Sequence, residues 1–223
     1  MRNKGRDHLS LLYDIGELSG LIRESTDIPN LLDRTVTMIA QHLQAEVCSI
    51  YLYDEEKHEL VLKATKGLNP EAVEKVRMAF GTGLVGATLE GLEPVIEGDA
   101  TRNPRFKYFA EAHEEAFRSF LSVPIQQGEV RIGVLVVQDS APDYFDAADI
   151  RTLRAVASQL AGVLENVRLL MDLRRREDAP ERAVKADMSF FFAASGESES
   201  DSVEAGSRLL ILVSPRSPRM VTW

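Results

Sequence analysis

The spacing of apolar residues along the chain predicts its elements before any chemistry is considered. Leu11, Ile15, Leu18 and Ile22 recur at steps of four, three and four, which marks one face of an N-terminal helix. A second helix starts in "STDIPNLLDRTVTMIAQHL", with Asp27 or Thr26 as its cap and Pro29 in its first turn. Leu32, Val36, Ile39, Ala40 and Leu43 form its apolar stripe. The period then shortens. "AEVCSIYLYD" and "ELVLKATKG" are rich in β-branched and aromatic residues, and "DEEKH" joins them as a hairpin. In the first of these strands Cys48, Ile50 and Leu52 share one side, and Val47, Ser49, Tyr51 and Tyr53 share the other.

"LNPEAVEKVRMAF" reads as a short helix followed by an extended piece, and "AFGTGLVGATLEG" as a glycine turn feeding a short helix from Leu84 to Leu89. "EPVIEGD" is a further strand, and "ATRNPRFKYFAEAHEEAF" a loop with a helical turn. "SFLSVPIQQ" and "VRIGVLVVQD" are two strong strands, and Gly128-Glu129 between them suits a tight turn. A closing helix runs from about Asp146 to Glu177, roughly 48 Å at 1.5 Å per residue. Local hairpins imply a mainly antiparallel sheet, with the terminal helices on one face and the short helix and loop roofing the other, an α+β fold. The organisation expected is an N-terminal helix at 1–26, a folded domain that includes the long closing helix at 27–177 and a low-complexity tail at 178–223. "ASGESESDSVEAGS" in that tail has the composition of disorder, and "LLILV" after it the character of an aggregation segment. A truncated or altered C-terminus explains this tail as well as any biology does.

Composition narrows the functions. A formal net charge of −9 leaves no broad basic face for nucleic acid. One cysteine, Cys48, forms no disulfide framework within the chain and fits a reducing cytoplasm. "MRNKGRDHLSLLYDIG" lacks the apolar core of a signal peptide, and no apolar run reaches the roughly 20 residues that span a bilayer. The expected location is cytoplasmic.

The glycine turn first suggests a phosphate cradle. Gly81, Gly83 and Gly86 do have the G-x-G-x-x-G spacing, but "AVEKVRMAF" before them is not the continuous apolar run of a buried parallel strand. A Walker loop needs Lys-Ser or Lys-Thr after its last glycine, and Ala87-Thr88 stands there.

Taken together, "LLDRTVTMIAQHLQAEVCSIYLYDEEKHELVLKATKGL", "FGTGLVGATLEGLEPVIEGDA" and "FLSVPIQQGEVRIGVLVVQD" with "YFDAADIRTLRAVASQLAGVLEN" resemble a GAF domain over about Leu9 to Arg174. "EVCSIYL", "ATKGL", "RNPRFKY" and "FRSFLSVPI" look most like the N-terminal sensory GAF domain of nitrogen-branch phosphoenolpyruvate–protein phosphotransferases. The resemblance implies a cavity roofed by the glycine turn. Gly81 and Gly83 take backbone angles other residues resist, and Gly86 lets the short helix lie close to the sheet. Its candidate ligand contacts are Phe80, Gly83, Val85, Arg102, Arg105, Phe106, Tyr108, Phe109, Phe120 and Ser122. Arg102 and Arg105 are suited to a carboxylate; the alternative is a solvated loop with Phe106 and Phe109 tucked into the core. Glutamine or 2-oxoglutarate is the ligand expected by analogy, with no metal and no cofactor.

Other chemistry is weaker. The phosphotransfer histidine of such enzymes stands in a Thr-Ser-His context, and His8, His42, His58 and His113 all lack it. Cys48 reads as a small apolar core residue rather than a redox or bilin-binding one. Phe145 and Asp149 have the spacing of part of the cyclic-nucleotide GAF signature, but Ile150 replaces its Glu, so they read as the start of the closing helix. In that helix Ile150, Leu153, Ala157, Leu160, Leu164, Val167 and Met171 follow heptad steps, with Val156, Val163 and Leu170 beside them. A homodimer seam is expected from Leu11, Ile15, Leu18 and Ile22 with Leu160, Leu164, Leu170 and Met171. The reading is a metabolite sensor that signals to a phosphotransferase output domain and is not itself an enzyme. The alternatives are a ligand-free structural dimerisation module and a GAF redox enzyme.

Overall fold

The computed structural model describes residues 27–169 apart from 113 and 115. Helix α1 covers Ile28–Leu43. Asp27 caps it, its Oδ1 accepting the Asn30 N–H at 3.2 Å, and Pro29 falls where a helix has no use for an N–H. The helix stops at Gln44, which is left-handed at φ 51°.

Six strands follow: β1 (Val47–Asp54), β2 (Glu59–Lys66), β3 (Arg77–Ala79), β4 (Val95–Glu97), β5 (Ser119–Gln127) and β6 (Val130–Asp139). They form one antiparallel sheet in the order β3-β2-β1-β6-β5-β4. Helix α2 (Gly83–Gly91) lies between β3 and β4, and helix α3 occupies 147–169. The segment 68–80 forms a 3₁₀ turn at Pro70–Ala72 and then β3, and the loop after β4 contains 3₁₀ turns at Ala100–Arg102 and Ala110–Ala112.

The pleat sorts the apolar residues into two cores. Cys48 and Ile50 of β1, Leu121, Val123 and Ile125 of β5, and Leu135 and Val137 of β6 pack beneath α1 and α3. Val47 and Tyr51, Phe120, and Val134 and Val136 point the other way, toward α2. The β1–β2 register jumps between Ile50, which faces Ala64, and Tyr51, which faces Leu62. The extra residue, Lys63, is a bulge, so Leu62 joins the α2 side while Ala64 joins the helix side. At Gly133 a Cβ would lie 2.1 Å from the Tyr51 carbonyl oxygen, so only glycine lets β6 approach β1 there.

α3 is started by a reciprocal pair of carboxylates. Asp146 Oδ1 accepts the N–H groups of Ala148 and Asp149, and Asp149 Oδ2 accepts that of Asp146 at 3.0 Å. The dimer seam expected on this helix is corrected at two positions. Leu160 and Leu164 are 1% and 7% exposed and belong to the chain's own core, alongside Leu153 and Val156. Heptad steps bring residues to one side of a helix whether that side meets a sheet or another helix. Leu11, Ile15, Leu18, Ile22, Leu170 and Met171 lie outside the described residues, as do 1–26 and 178–223 of the expected organisation. No helix among the described residues is long and apolar enough to cross a membrane.

Candidate functional site

The roof over the second face begins at the glycine turn. Gly81 and Gly83 have φ of 73° and 69°, a region that side chains with a Cβ rarely adopt. Gly86 works differently from the expectation. A Cβ there would sit 2.7 Å from the backbone carbon of Gly81, so it lets α2 close against its own entry turn rather than against the sheet. The far end of α2 is held by Arg131 of β6. Its Nε and Nη2 donate to the carbonyls of Leu89 (3.1 Å) and Glu90 (3.3 Å), among the last carbonyls of the helix. The same guanidinium lies 5.7 Å from the Phe80 ring centroid. Mid-helix, Thr88 Oγ1 donates to the Leu84 carbonyl and shares a 2.6 Å hydrogen bond with Ser122 Oγ of β5, both fully buried.

Beneath this roof is a cavity of about 20 Å³. Val136 and Gln138 of β6, Tyr51 of β1 and Phe120 of β5 form its floor, Gly83, Leu84 and Val85 of α2 its ceiling, and Met78, Phe106, Lys107, Phe109 and Glu114 its sides. That volume suits a water molecule and is too small for a metabolite. The covering loop is therefore the part that must move for a larger guest. It is tied down by polar contacts: Asn103 Nδ2 donates to Glu97 Oε1 at 2.6 Å, Asn103 Oδ1 accepts the Arg105 N–H, and Asn69 Nδ2 donates to the Glu111 carbonyl.

Three polar groups are buried here. Tyr51 is 2% exposed, and its phenol is pushed well above the ordinary range by burial and then by the charge of Glu114. Glu114 is 6% and Gln138 4% exposed. Lys107 stands at the outer side with its Nζ 5.6 Å from the Phe109 ring centroid. A wider groove of about 820 Å³ runs beside Leu32 of α1 and Leu52 of β1. Its Lys63 and Thr65 are already paired, with Glu74 and Ser49. Convergent polar groups under low exposure mark the roofed cavity as the stronger candidate.

Of the expected contacts, Gly83, Val85, Phe106, Phe109 and Phe120 line the cavity. Five do not. Phe80 packs on Tyr53 with ring centroids 5.6 Å apart. Ser122 faces Thr88. Tyr108 is exposed, as is Arg102 at the end of its 3₁₀ turn. Arg105 reaches Glu90 at 3.4 Å in an exposed pair. Tyr51, Met78, Leu84, Lys107, Glu114, Val136 and Gln138 complete the lining without having been anticipated. The alternation of β1 put Tyr51 on the correct side of the sheet, and alternation along β6 carries Val136 and Gln138 together. Nothing periodic marks Glu114.

The remaining chemistry is quiet. Cys48 is fully buried and its thiol is pushed far up by desolvation, the opposite of a reactive thiolate. His58 Nδ1 is 3.0 Å from Tyr53 Oη, and His42 lies in the last turn of α1. His8 and His113 fall outside the described residues. No group of three or more His, Cys, Asp or Glu converges as a metal site among the described residues.

The family model of the GAF domain matches residues 25–165. The GAF domain from a phosphoenolpyruvate-protein phosphotransferase of Coxiella burnetii superposes with a TM-score of 0.69 at 29% identity, covering 76% of this chain and 99% of that one. The corresponding Acinetobacter GAF domain gives 0.64 at 33% identity, covering 74% and 97%. A curated relative, the phosphoenolpyruvate-dependent phosphotransferase system protein of Escherichia coli (strain K12), is 35% identical over 159 residues. That alignment takes in 71% of this chain and 21% of the relative, so the chain spans about a fifth of the length of the curated protein.

Proposed function

The chain belongs to the GAF domain family, in the branch carried by phosphoenolpyruvate–protein phosphotransferases, and on that premise we propose that it senses a small metabolite in the cavity under α2. The observation that carries this reading is the convergence of Tyr51, Glu114 and Gln138, all buried, in a space floored by the sheet and closed by a loop. Purely structural cores rarely keep three such groups together, since each costs stability unless paired. A guest displaces the segment around Phe106 to Phe109, and the ligand thereby selects an open or reclosed roof from the accessible states. α2 moves with that segment, because the Arg105 carbonyl and Lys107 Cβ lie against Gly83. The Thr88–Ser122 bond passes the change into β5.

By analogy with the nitrogen branch, the ligand class is glutamine or 2-oxoglutarate, and the output is regulation of phosphoenolpyruvate-dependent phosphotransfer by an attached or partner domain. Relaying occupancy through paired terminal helices of a cytoplasmic homodimer belongs to the same proposal. Leu11, Ile15, Leu18, Ile22, Leu170 and Met171 are the side chains assigned to that pairing. Arg102 and Arg105 do not line the cavity as it stands, so a role for them in binding requires an opened form. The size of the cavity favours one competing reading, a ligand-free structural module, because about 20 Å³ holds no metabolite as it stands.

A thermal-shift screen with amino acids, 2-oxo acids and cyclic nucleotides separates the two. A ligand present at about 100 times its Kd adds about 2.7 kcal/mol of stability. A flat profile across the whole panel assigns the domain to the structural role.

A further inference from the structure

Alternation along β5 carries a row of side chains toward α2: Phe120 on the cavity floor, Ser122 against Thr88, then Pro124 and Gln126. Ile125, just before Gln126, packs into the opposite core. Gln126 pairs with Arg131 of β6 across the ladder, and side chains paired in this way start about 5 Å apart on one face. Gln126 Oε1 accepts no hydrogen bond, the one buried side-chain nitrogen or oxygen without a partner among the described residues. Such an acceptor costs stability, and an apolar side chain would fill the same position with nothing to satisfy. Its neighbour is rich in donors. A guanidinium carries five N–H groups, and Arg131 uses Nε on the Leu89 carbonyl and Nη2 on that of Glu90, with the Phe80 ring beside it. An orphan acceptor thus stands next to the side chain that holds the end of the roof.

We infer that Arg131 is a positioning residue of the roof with two seats: the last carbonyls of α2 when the roof is closed, and Gln126 Oε1 when α2 lifts. The transfer needs only rotation of the Arg131 side chain, because both seats lie on the face of β6 from which it projects, and the β5–β6 ladder keeps its register. Without the second seat, lifting α2 takes two charge-assisted hydrogen bonds from a half-buried guanidinium and gives back only water. With it, one bond is regained and the orphan acceptor is satisfied in the same movement. The closed seat stays preferred, since two carbonyls at the negative end of a helix and an aromatic face outweigh one amide oxygen. A guest beneath the roof then has a smaller difference to overcome. Arg131 also ties the far end of α2 to the sheet by a route separate from the Thr88–Ser122 bond. Only the guest rests on the proposed sensor reading; the two seats belong to the chain alone.

The test is hydrogen exchange of the full chain without ligand, on wild type, Gln126→Met, Arg131→Met and the double variant. Exchange in α2 reports opening of the roof, and exchange in α1 reports global unfolding, against which the change in α2 is read. Gln126→Met, close in volume, removes the second seat and should slow α2 exchange by about tenfold, the scale of one hydrogen bond to a charged group. Arg131→Met keeps the apolar stem and removes the donors, so α2 should exchange faster than in wild type. In that background Gln126→Met should change α2 exchange by a factor near one, because the occupant of the second seat is gone. A position that only packs gives no such dependence on Arg131. Should Gln126→Met fail to fold, the same cycle with Gln126→Leu decides. The inference is overturned if α2 exchange does not respond to the change at 126, or if Arg131→Met does not speed it. Slowing by the same factor with and without Arg131 also overturns it, since water then takes the seat. Each of these outcomes leaves the sensor reading standing, because no ligand enters the experiment.

Discussion

The two faces of one sheet do different work with alternate residues of the same strands. On the α1/α3 side Ile50, Ile125 and Leu135 meet Leu32, Leu153 and Leu160, an apolar core filled from two long helices. On the α2 side Tyr51, Phe120 and Val136 meet a short helix with a glycine entry and an irregular loop, and Glu114 and Gln138 are buried among them. The first face is built from regular elements around a core that is mainly apolar, and it carries stability. The second gives up regularity for a closed space with polar walls, and it carries the candidate site. Neighbours in sequence thus divide between the tasks: Ile50 serves the first and Tyr51 the second.

Substitutions on the two faces should separate accordingly. The largest effect is expected at Leu160→Ala, which opens a cavity in the helix-side core and should cost about 2–5 kcal/mol in urea unfolding. Sedimentation of that variant should match wild type, whereas Leu170→Glu with Met171→Glu should lower the mass without unfolding the domain. A fall in mass for Leu160→Ala at full folding would restore that residue to a dimer seam. Next is Gly86→Ala. Its Cβ meets backbone 2.7 Å away, so it should destabilise by about 1–3 kcal/mol and also impair ligand response, because the strain falls on the roof. Thr88→Val should cost about 1–3 kcal/mol by leaving Ser122 Oγ buried without its partner, and adding Ser122→Ala should recover part of the loss. A double mutant no more stable than the additive sum would deny the pair its coupling. The smallest effect belongs to Arg105→Ala. Its bridge to Glu90 is 57% and 53% exposed, and it should change stability by less than about 1 kcal/mol. A loss of ligand affinity by tenfold or more in that variant would bring Arg105 into the site when the roof opens.

The same contrast explains what could be read from the chain. The helix side was legible because Leu32, Val36, Ile39 and Leu43 repeat with the helical period, and Cys48 and Ile50 alternate with the strand period. The opposing side of β1, with Val47 and Tyr51, came from that same alternation. The bulge at Lys63 was not legible, since an inserted residue shifts the pleat without altering the composition of "ELVLKATKG". Leu160 and Leu164 were assigned to a second chain because spacing fixes which residues share a face and leaves open what that face meets. In the roof, five aromatic, glycine and valine contacts were placed from resemblance, while Arg102 and Arg105 drew attention through their charge and lie outside the cavity. Glu114 and Lys107 come from an aperiodic loop whose path depends on long-range contacts such as Asn69 with Glu111. Gln138 ends an apolar run and nothing in its spacing sets it apart from Asp139 after it, which is buried as well.

Hydrogen exchange of the full chain with and without saturating L-glutamine tests the division of labour most directly. Exchange reports local opening segment by segment. The account predicts added protection in 80–91 and 103–118, around the cavity, with α1 and the described part of α3 little changed. Unchanged exchange throughout, or protection confined to 28–43 and 147–169, would contradict it.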